Sequence, residues 1–120
     1  MKTATLVLGA SENPSRYSNM AIKSLLRHGY LVKALGNSKG NVENVVIETE
    51  KVIYDNIDTI TLYLGPKNQL PYYEYILSIS PNRIIFNPGT ENDDLKLLAE
   101  KNGIKTEYAC TLVLLNLNQY

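Results

Sequence analysis

A chain of 120 residues fits a single domain, 1–120, and a domain of that size buries roughly two-thirds of its unfolded surface, enough for a core without staples. Twelve basic and twelve acidic residues cancel, and neither sign gathers into a block, which argues against a nucleic-acid or anionic-membrane surface and makes any phosphate recognition local. The single cysteine, Cys110, has no internal disulfide partner, the opening Met1-Lys2-Thr3-Ala4 lacks a signal-peptide pattern, and no apolar run approaches the roughly 20 residues that span a bilayer, so the expectation is a soluble cytoplasmic protein.

In chain order, strand-like and helix-like segments alternate. Ala4 to Leu8 is uniformly apolar or small, the signature of a central parallel strand covered on both faces. It stops at Gly9-Ala10-Ser11-Glu12-Asn13-Pro14, and a helix follows, with Ser18 as its expected cap, Ala21, Ile22, Leu25 and Leu26 on its inner face, and Gly29 at its end. Leu31 to Leu35 reads as the second strand, and Gly36-Asn37-Ser38-Lys39-Gly40 as a loop. Val45 to Ile53 suggests short edge structure of uncertain register. Thr59 to Leu64 is the next strand, closed by Gly65-Pro66, and precedes a helix with Leu70, Tyr73, Ile76 and Leu77 inward and Pro71 in its first turn. Arg83 to Phe86 is a strand ended by Asn87-Pro88-Gly89. Asn92 to Lys101 is a helix with Leu95, Leu98 and Ala99 inward and Gly103 beyond it, Ile104 to Tyr108 is a last strand, and the apolar tail Leu112 to Leu117 packs back. The alternation predicts an α/β, three-layer Rossmann-like domain: a mostly parallel sheet of about five strands with helices on both faces.

Ligands of such sheets lie beyond the carboxyl ends of the strands, where strand order reverses. That geometry gathers the loops Gly9–Tyr17, Gly36–Gly40, Gly65–Asn68 and Asn87–Glu91, each carrying glycine. Any α/β protein places such residues at strand ends; their common edge makes the joint case. A dinucleotide fingerprint requires G-x-G-x-x-G after the first strand and an acid ending the second. Here Ser11 and Pro14 fill the other two glycine positions and the second strand ends at Gly36-Asn37, so a standard NAD site is not expected. Nor is ATP hydrolysis, since no G-x-x-x-x-G-K-[ST] occurs. What remains is a strand, a turn and a helix N-terminus with Ser11, Asn13, Arg16 and Ser18 able to donate to phosphate oxygens, Arg16 being equally accounted for as a solvated surface charge. Lys39 is either a cation for a ribose phosphate or a solvated charge.

The run Val7-Leu8-Gly9-Ala10-Ser11-Glu12-Asn13-Pro14-Ser15-Arg16-Tyr17-Ser18 resembles the V-G-A-S-x-N-P-x-R-Y-S opening of the small single-domain CoA-binding proteins, whose fold is shared with the CoA-binding domain of succinyl-CoA synthetase. Asn87-Pro88-Gly89-Thr90-Glu91-Asn92 is similar to that family's P-G-x-E-N turn, and Cys110 falls near where it often carries a cysteine, so the likeness spans nearly the whole chain. The resemblance implies non-covalent binding of coenzyme A or an acyl-CoA. Gly9, Ala10 and Ser11 would lie against the pyrophosphate, Asn13, Pro14, Arg16, Tyr17 and Ser18 would shape the same mouth, Pro88 and Gly89 would close it, and Gly36, Asn37 and Gly65 would add the neighbouring loops. Two stretches depart from the family: Ala34 to Gly40 replaces a V-x-P-V-N-P-like sequence on the adenine side, and Gly65-Pro66-Lys67 replaces an R-P-P-like segment with its phosphate-facing arginine.

Catalysis has little to build on. The synthetase relatives use a phosphorylated histidine from a further domain, whereas His28, the one histidine here, ends the first helix, where it suits the helix C-terminus. Cys110 as a nucleophile needs an adjacent base and a lowered pKa; the plainer expectation is a buried, inert thiol. One histidine and one cysteine are too few for a typical zinc site. Asp93-Asp94 at a helix start is accounted for by the helix dipole. The nine tyrosines suit amphipathic packing, and exposed ones offer a surface for a homodimer contact. The expected activity is therefore binding without catalysis; the alternatives are a small acyl-CoA-using enzyme with Cys110 as nucleophile and an assembly module with a decayed nucleotide pocket.

Overall fold

The apolar run that opens the chain forms β1 (Ala4–Ala10), the middle strand of the sheet. In the computed structural model, which describes residues 2–120, it is followed by α1 (Tyr17–Arg27), β2 (Leu31–Gly36), β3 (Gly40–Val42), β4 (Val45–Glu48) and β5 (Ile57–Leu62). Then come α2 (Pro66–Gln69), α3 (Tyr73–Ile79), β6 (Arg83–Phe86), α4 (Asp93–Lys101), β7 (Lys105–Tyr108) and α5 (Thr111–Asn116). The described residues form a sheet in the order β3-β4-β2-β1-β5-β6-β7, parallel throughout except for the β3–β4 pair. Strand order reverses at β1, which has β2 on one side and β5 on the other.

Period-two alternation divides β1 between two cores. Leu6 and Leu8 join Ile60, Leu62, Ile76, Phe86, Leu95 and Ala99 in the layer under α3 and α4. Val7 and Ala10 face Ile22, Leu25 and Leu115 of α1 and α5, so the tail does pack back onto the domain. Each of the fully buried leucines and isoleucines contributes about 1.5–3 kcal/mol relative to exposure.

Among the described residues the sheet has seven strands, not about five. The difference lies partly in the expected loop after β2: Gly40–Val42 pairs antiparallel with Val45–Glu48 across a tight Glu43-Asn44 turn in which Glu43 takes φ +54°. That turn lacks the Asn-Gly or Asp-Gly pair by which such hairpins announce themselves. Strand structure ends at Glu48 rather than continuing to Ile53. β1 runs beyond Leu8 through a bulge at Gly9, and β5 starts and stops two residues earlier than Thr59–Leu64, which frees Tyr63 and Leu64 to form a wall. α1 starts at Tyr17 with Arg16 in the cap position, so Ser18 is not a cap but a buried residue of the first turn. The Asn13 carboxamide, accepting from Ser15 N at 3.0 Å, and the Arg16 N to Asn13 O bond, also 3.0 Å, tighten the chain into the helix early. The helix expected over Leu70–Leu77 is broken: Pro71 lacks the N–H a continuous ladder needs, Leu70–Tyr72 forms a single 3-10 turn, and Leu70 points outward at 67% exposure. Ile76 is buried as expected, with Tyr73 and Leu77 half-buried. Asn92 caps α4 by accepting from Asp94 N and Leu95 N.

Candidate ligand-binding site

At the reversal point the loops after β1, β2, β5 and β6 surround a cavity of about 770 Å³, within the roughly 300–1,000 Å³ usual for small-molecule sites. Its floor is the β1 bulge. Gly9 sits at φ +98°, and a Cβ there would stand 2.9 Å from the Tyr63 carbonyl carbon, so only glycine lets the β1 and β5 backbones approach this closely.

The β1–α1 loop supplies one wall through Gly9, Ala10, Ser11, Asn13 and Ser15, continuing into Arg16, Tyr17 and Ser18. Part of its polar capacity is used internally: Asn13 N donates to Ser11 Oγ at 3.0 Å, Ser15 Oγ donates to Asn13 Oδ1 at 2.8 Å, and buried Asn19 donates from Nδ2 to Ser11 O at 3.1 Å. Asn19 Oδ1 is buried with no partner among the described residues. The N-terminus of α1 stays open. Among the described residues no side chain caps it, and its first turn holds no acid, so its N–H groups and positive dipole end remain unneutralised beside the exposed Arg16. α4 is the contrast: the Asn92 cap and Asp93-Asp94 in its first turn already satisfy that helix start, as expected of the acidic pair.

The other walls come from Asn37, Ser38 and Lys39 after β2, from Tyr63, Leu64, Gly65 and Asn68 after β5, and from Pro88, Gly89 and Thr90 after β6. Two residues of the expected set lie outside the lining. Gly36 is a packing position, where a Cβ would come within 2.3 Å of Ala10 O, and Pro14 is exposed in the turn. Conversely Glu12, Ser15, Ser38, Tyr63, Leu64, Asn68 and Thr90 line the cavity without any chemical motif in the sequence to mark them. Their signal was only adjacency to the strand ends.

Buried amides beneath the rim hold these loops. Gln69 donates from Nε2 to Leu64 O and Thr90 O, each at 2.8 Å, and accepts from Asn92 Nδ2 at 2.8 Å. Asn87 donates to Thr61 Oγ1 at 2.7 Å and Leu62 O at 2.8 Å and accepts from Thr111 N at 2.9 Å, joining β5, β6 and α5. The Tyr63 hydroxyl is buried without a partner among the described residues, and burial pushes its pKa up to about 12.

Cys110 occupies the cap position of α5, half-buried rather than sealed in the core, and is not part of the cavity lining. His28 Nδ1 lies 2.8 Å from the Ser24 carbonyl at the C-terminal end of α1, the helix-end role its position suggested. Among the described residues no group of three or more His, Cys, Asp or Glu side chains is placed to hold a metal, and no helix is long and apolar enough to cross a membrane.

The fold and chain length recur in solved structures. A crystal structure of a protein described as uncharacterized is 42% identical over 100% of this chain and 99% of its own, with a TM-score of 0.96. A hypothetical protein from Pyrococcus horikoshii OT3 is 25% identical over 93% of this chain and 80% of its own, with a TM-score of 0.83. One quarter (25%) of the dinucleotide-forming acetyl-coenzyme A synthetase 1 of Ca. Korarchaeum cryptofilum, solved with phosphate and ADP, shares the fold over 89% of this chain at 16% identity and a TM-score of 0.72. No curated protein sequence matches. The model of the CoA binding domain matches residues 3–116, nearly the whole chain, and the protein belongs to that CoA-binding domain family.

Proposed function

We propose that this protein binds coenzyme A or an acyl-CoA non-covalently, as a cytoplasmic binding protein, and releases it unchanged. The observation that carries this reading is the uncapped, acid-free N-terminus of α1 opening into a cavity at the strand reversal, with a glycine bulge as its floor. A pyrophosphate suits that place because it takes up backbone N–H groups and a positive dipole end that no side chain among the described residues caps. The residues present fit the ligand: Gly9, Ala10 and Ser11 would offer backbone along the pyrophosphate, Arg16 a charge-assisted donor, and Pro88 and Gly89 the opposite rim. Recognition without turnover is favoured by where the reactive groups lie. His28 is at the far end of α1, about 16 Å along the helix axis from its start, and Cys110 is outside the cavity lining.

The test is the thermal unfolding midpoint with CoA, acetyl-CoA, NAD, NADP, ATP and AMP, each in excess. A ligand at about 100 times its dissociation constant stabilises the fold by roughly 2.7 kcal/mol, a shift of several degrees in a domain of this size. A shift with CoA species, reduced by Arg16→Ala, is expected. A shift with NAD or NADP alone would replace this reading by a divergent dinucleotide site, and no shift with any of them would favour an assembly module. Hydrolysis of acetyl-CoA by the wild type that is absent from Cys110→Ala would overturn the claim of no turnover.

A further inference from the structure

The end of the cavity next to β2 and β3 is built in a way the strand pattern does not require. β2 ends at Gly36-Asn37 without an acidic residue, and residues 37–39 bend back at once into β3, an edge strand that pairs with β4. Glu12, from the β1–α1 loop, reaches across to this edge: its Oε2 accepts from Asn41 N at 2.8 Å. Its side chain lies flat on the Gly40 backbone, where a Cβ would stand 2.4 Å from Glu12 Cδ and 2.8 Å from Oε1. A carboxylate and a glycine from distant parts of the chain are thus matched to each other. Between the end of β2 and this latch, Asn37, Ser38 and Lys39 face the cavity, and Lys39 has no ion-pair partner among the described residues. The Asn41 N–H engages the Glu12 carboxylate, while the Lys39 ammonium remains available.

We propose that Glu12 is a positioning residue that ties the β1–α1 loop to β3, fixes residues 37–39 as the wall of the nucleoside end, and so lets Lys39 select ligands whose ribose carries a phosphate. This inference rests on the CoA reading above. Without the latch, the 37–39 turn is still held by β2 and by the β3–β4 pairing, but its outer edge loses its tie to the β1–α1 loop, and with it the fixed distance from that loop at which the lysine meets a phosphate. The chemistry recognised is a phosphomonoester at the far end of a nucleoside diphosphate, a group that CoA has and dephospho-CoA lacks.

Calorimetric titration of CoA and dephospho-CoA at one ionic strength tests it, using wild type, Lys39→Ala, Glu12→Ala, Glu12→Gln and Gly40→Ala. Loss of a charge-assisted contact corresponds to about tenfold in affinity, so the wild type should prefer CoA by about that factor. Lys39→Ala should bring the ratio near one, with the loss falling mainly on CoA rather than on dephospho-CoA. Glu12→Ala, and Gly40→Ala by displacing the Glu12 side chain, should each erode the ratio several-fold, whereas Glu12→Gln, which keeps an acceptor for Asn41 N, should retain most of it. A ratio unchanged in Glu12→Ala and Gly40→Ala, or a wild type that binds both ligands equally, overturns the inference while leaving the CoA reading standing. Failure of the wild type to bind either ligand overturns both.

Discussion

Gly9 and Gly89 both line the cavity and both have strongly positive φ, +98° and +93°, yet their surroundings differ. Alanine at either costs about 1–2 kcal/mol for the left-handed backbone, partly offset by about 0.4–1 kcal/mol from the less flexible unfolded chain. At Gly89 nothing lies within 4 Å of the added Cβ, so the net loss should stay near 1 kcal/mol or below. At Gly9 the Cβ meets Tyr63 C at 2.9 Å, Tyr63 O at 3.1 Å and Leu64 N at 3.2 Å, all backbone atoms next to a strand that cannot rotate away. Relieving that contact by displacing β5 from β1 adds the 1–3 kcal/mol typical of overpacking, for a total of about 2–4 kcal/mol. Urea unfolding of Gly9→Ala, Gly89→Ala and wild type measures both values, and the difference between the variants isolates the steric part. Equal losses in the two variants would refute the claim that close approach of β1 and β5, rather than φ alone, requires glycine at the cavity floor.

Asn87→Ala should destabilise by about 2–5 kcal/mol, since it orphans Leu62 O and Thr111 N in the interior; urea unfolding checks it, and a loss below about 1 kcal/mol contradicts the assigned network. Asp58 gives an acid-side prediction. Partial burial raises its pKa, but hydrogen bonds from Asn82 and Thr59 and the charges of Arg83 and Lys2 outweigh that and hold it below the ordinary carboxylate value. The stability it contributes is therefore present above about pH 4 and lost as pH falls through the lowered pKa, and Asp58→Asn should flatten the acid limb of an unfolding-versus-pH profile that wild type shows. Tyr63→Phe should be neutral or stabilising by up to about 1 kcal/mol, because it removes a buried hydroxyl that has no partner. Held protonated up to about 12, Tyr63 contributes stability that is present below its ordinary pKa of 10.0 and lost as pH climbs through about 12, so the same variant should soften the alkaline limb; a clear destabilisation at neutral pH would contradict the orphaned hydroxyl.

Legibility from sequence followed the physics of each element. β6 and α4 lie where expected because an apolar run ending in Asn-Pro-Gly and a helix opening on Asn-Asp-Asp are locally determined signals. The β3–β4 hairpin was not legible: β3 has three residues, its turn is Glu43-Asn44, and its pairing carries little hydrophobic alternation. The break at Pro71 was written in the sequence, yet Leu70, Tyr73 and Leu77 mimic one continuous helical face, and only the exposure of Leu70 shows that periodicity ran across two separate turns. In the site, the loop after β1 was visible because a glycine directly followed a buried strand. Glu12 was not, because its carboxylate accepts from Asn41 N, 29 residues away, and no local pattern encodes that contact.

Both faces of the sheet add polar bonds to an apolar cluster, and those on the α5 side bear on the cavity rim. Under α3 and α4, Gln69 bonds Leu64 O, Thr90 O and Asn92 Nδ2, and the Tyr75 hydroxyl donates to Val52 O at 2.6 Å. On the α5 side, buried hydroxyls and an amide meet: Thr61 Oγ1 lies 2.8 Å from Thr111 Oγ1, Asn87 bonds both Thr61 and the first backbone N–H of α5, and Thr5 pairs with the Tyr120 hydroxyl. A threonine in a strand reads in sequence as an ordinary β-former, so this polar seam was invisible. Its consequence is directional. Apolar burial tolerates small slips of one surface over another, whereas a carboxamide bonded on three sides accepts one arrangement only. Asn87 immediately precedes Pro88 and Gly89 of the cavity rim, so the contact that seats α5 also holds that rim, and Thr111→Val, which removes the hydroxyl bonded to Thr61, should raise amide hydrogen exchange at Gly89 and Thr90 while leaving exchange in α1 unchanged.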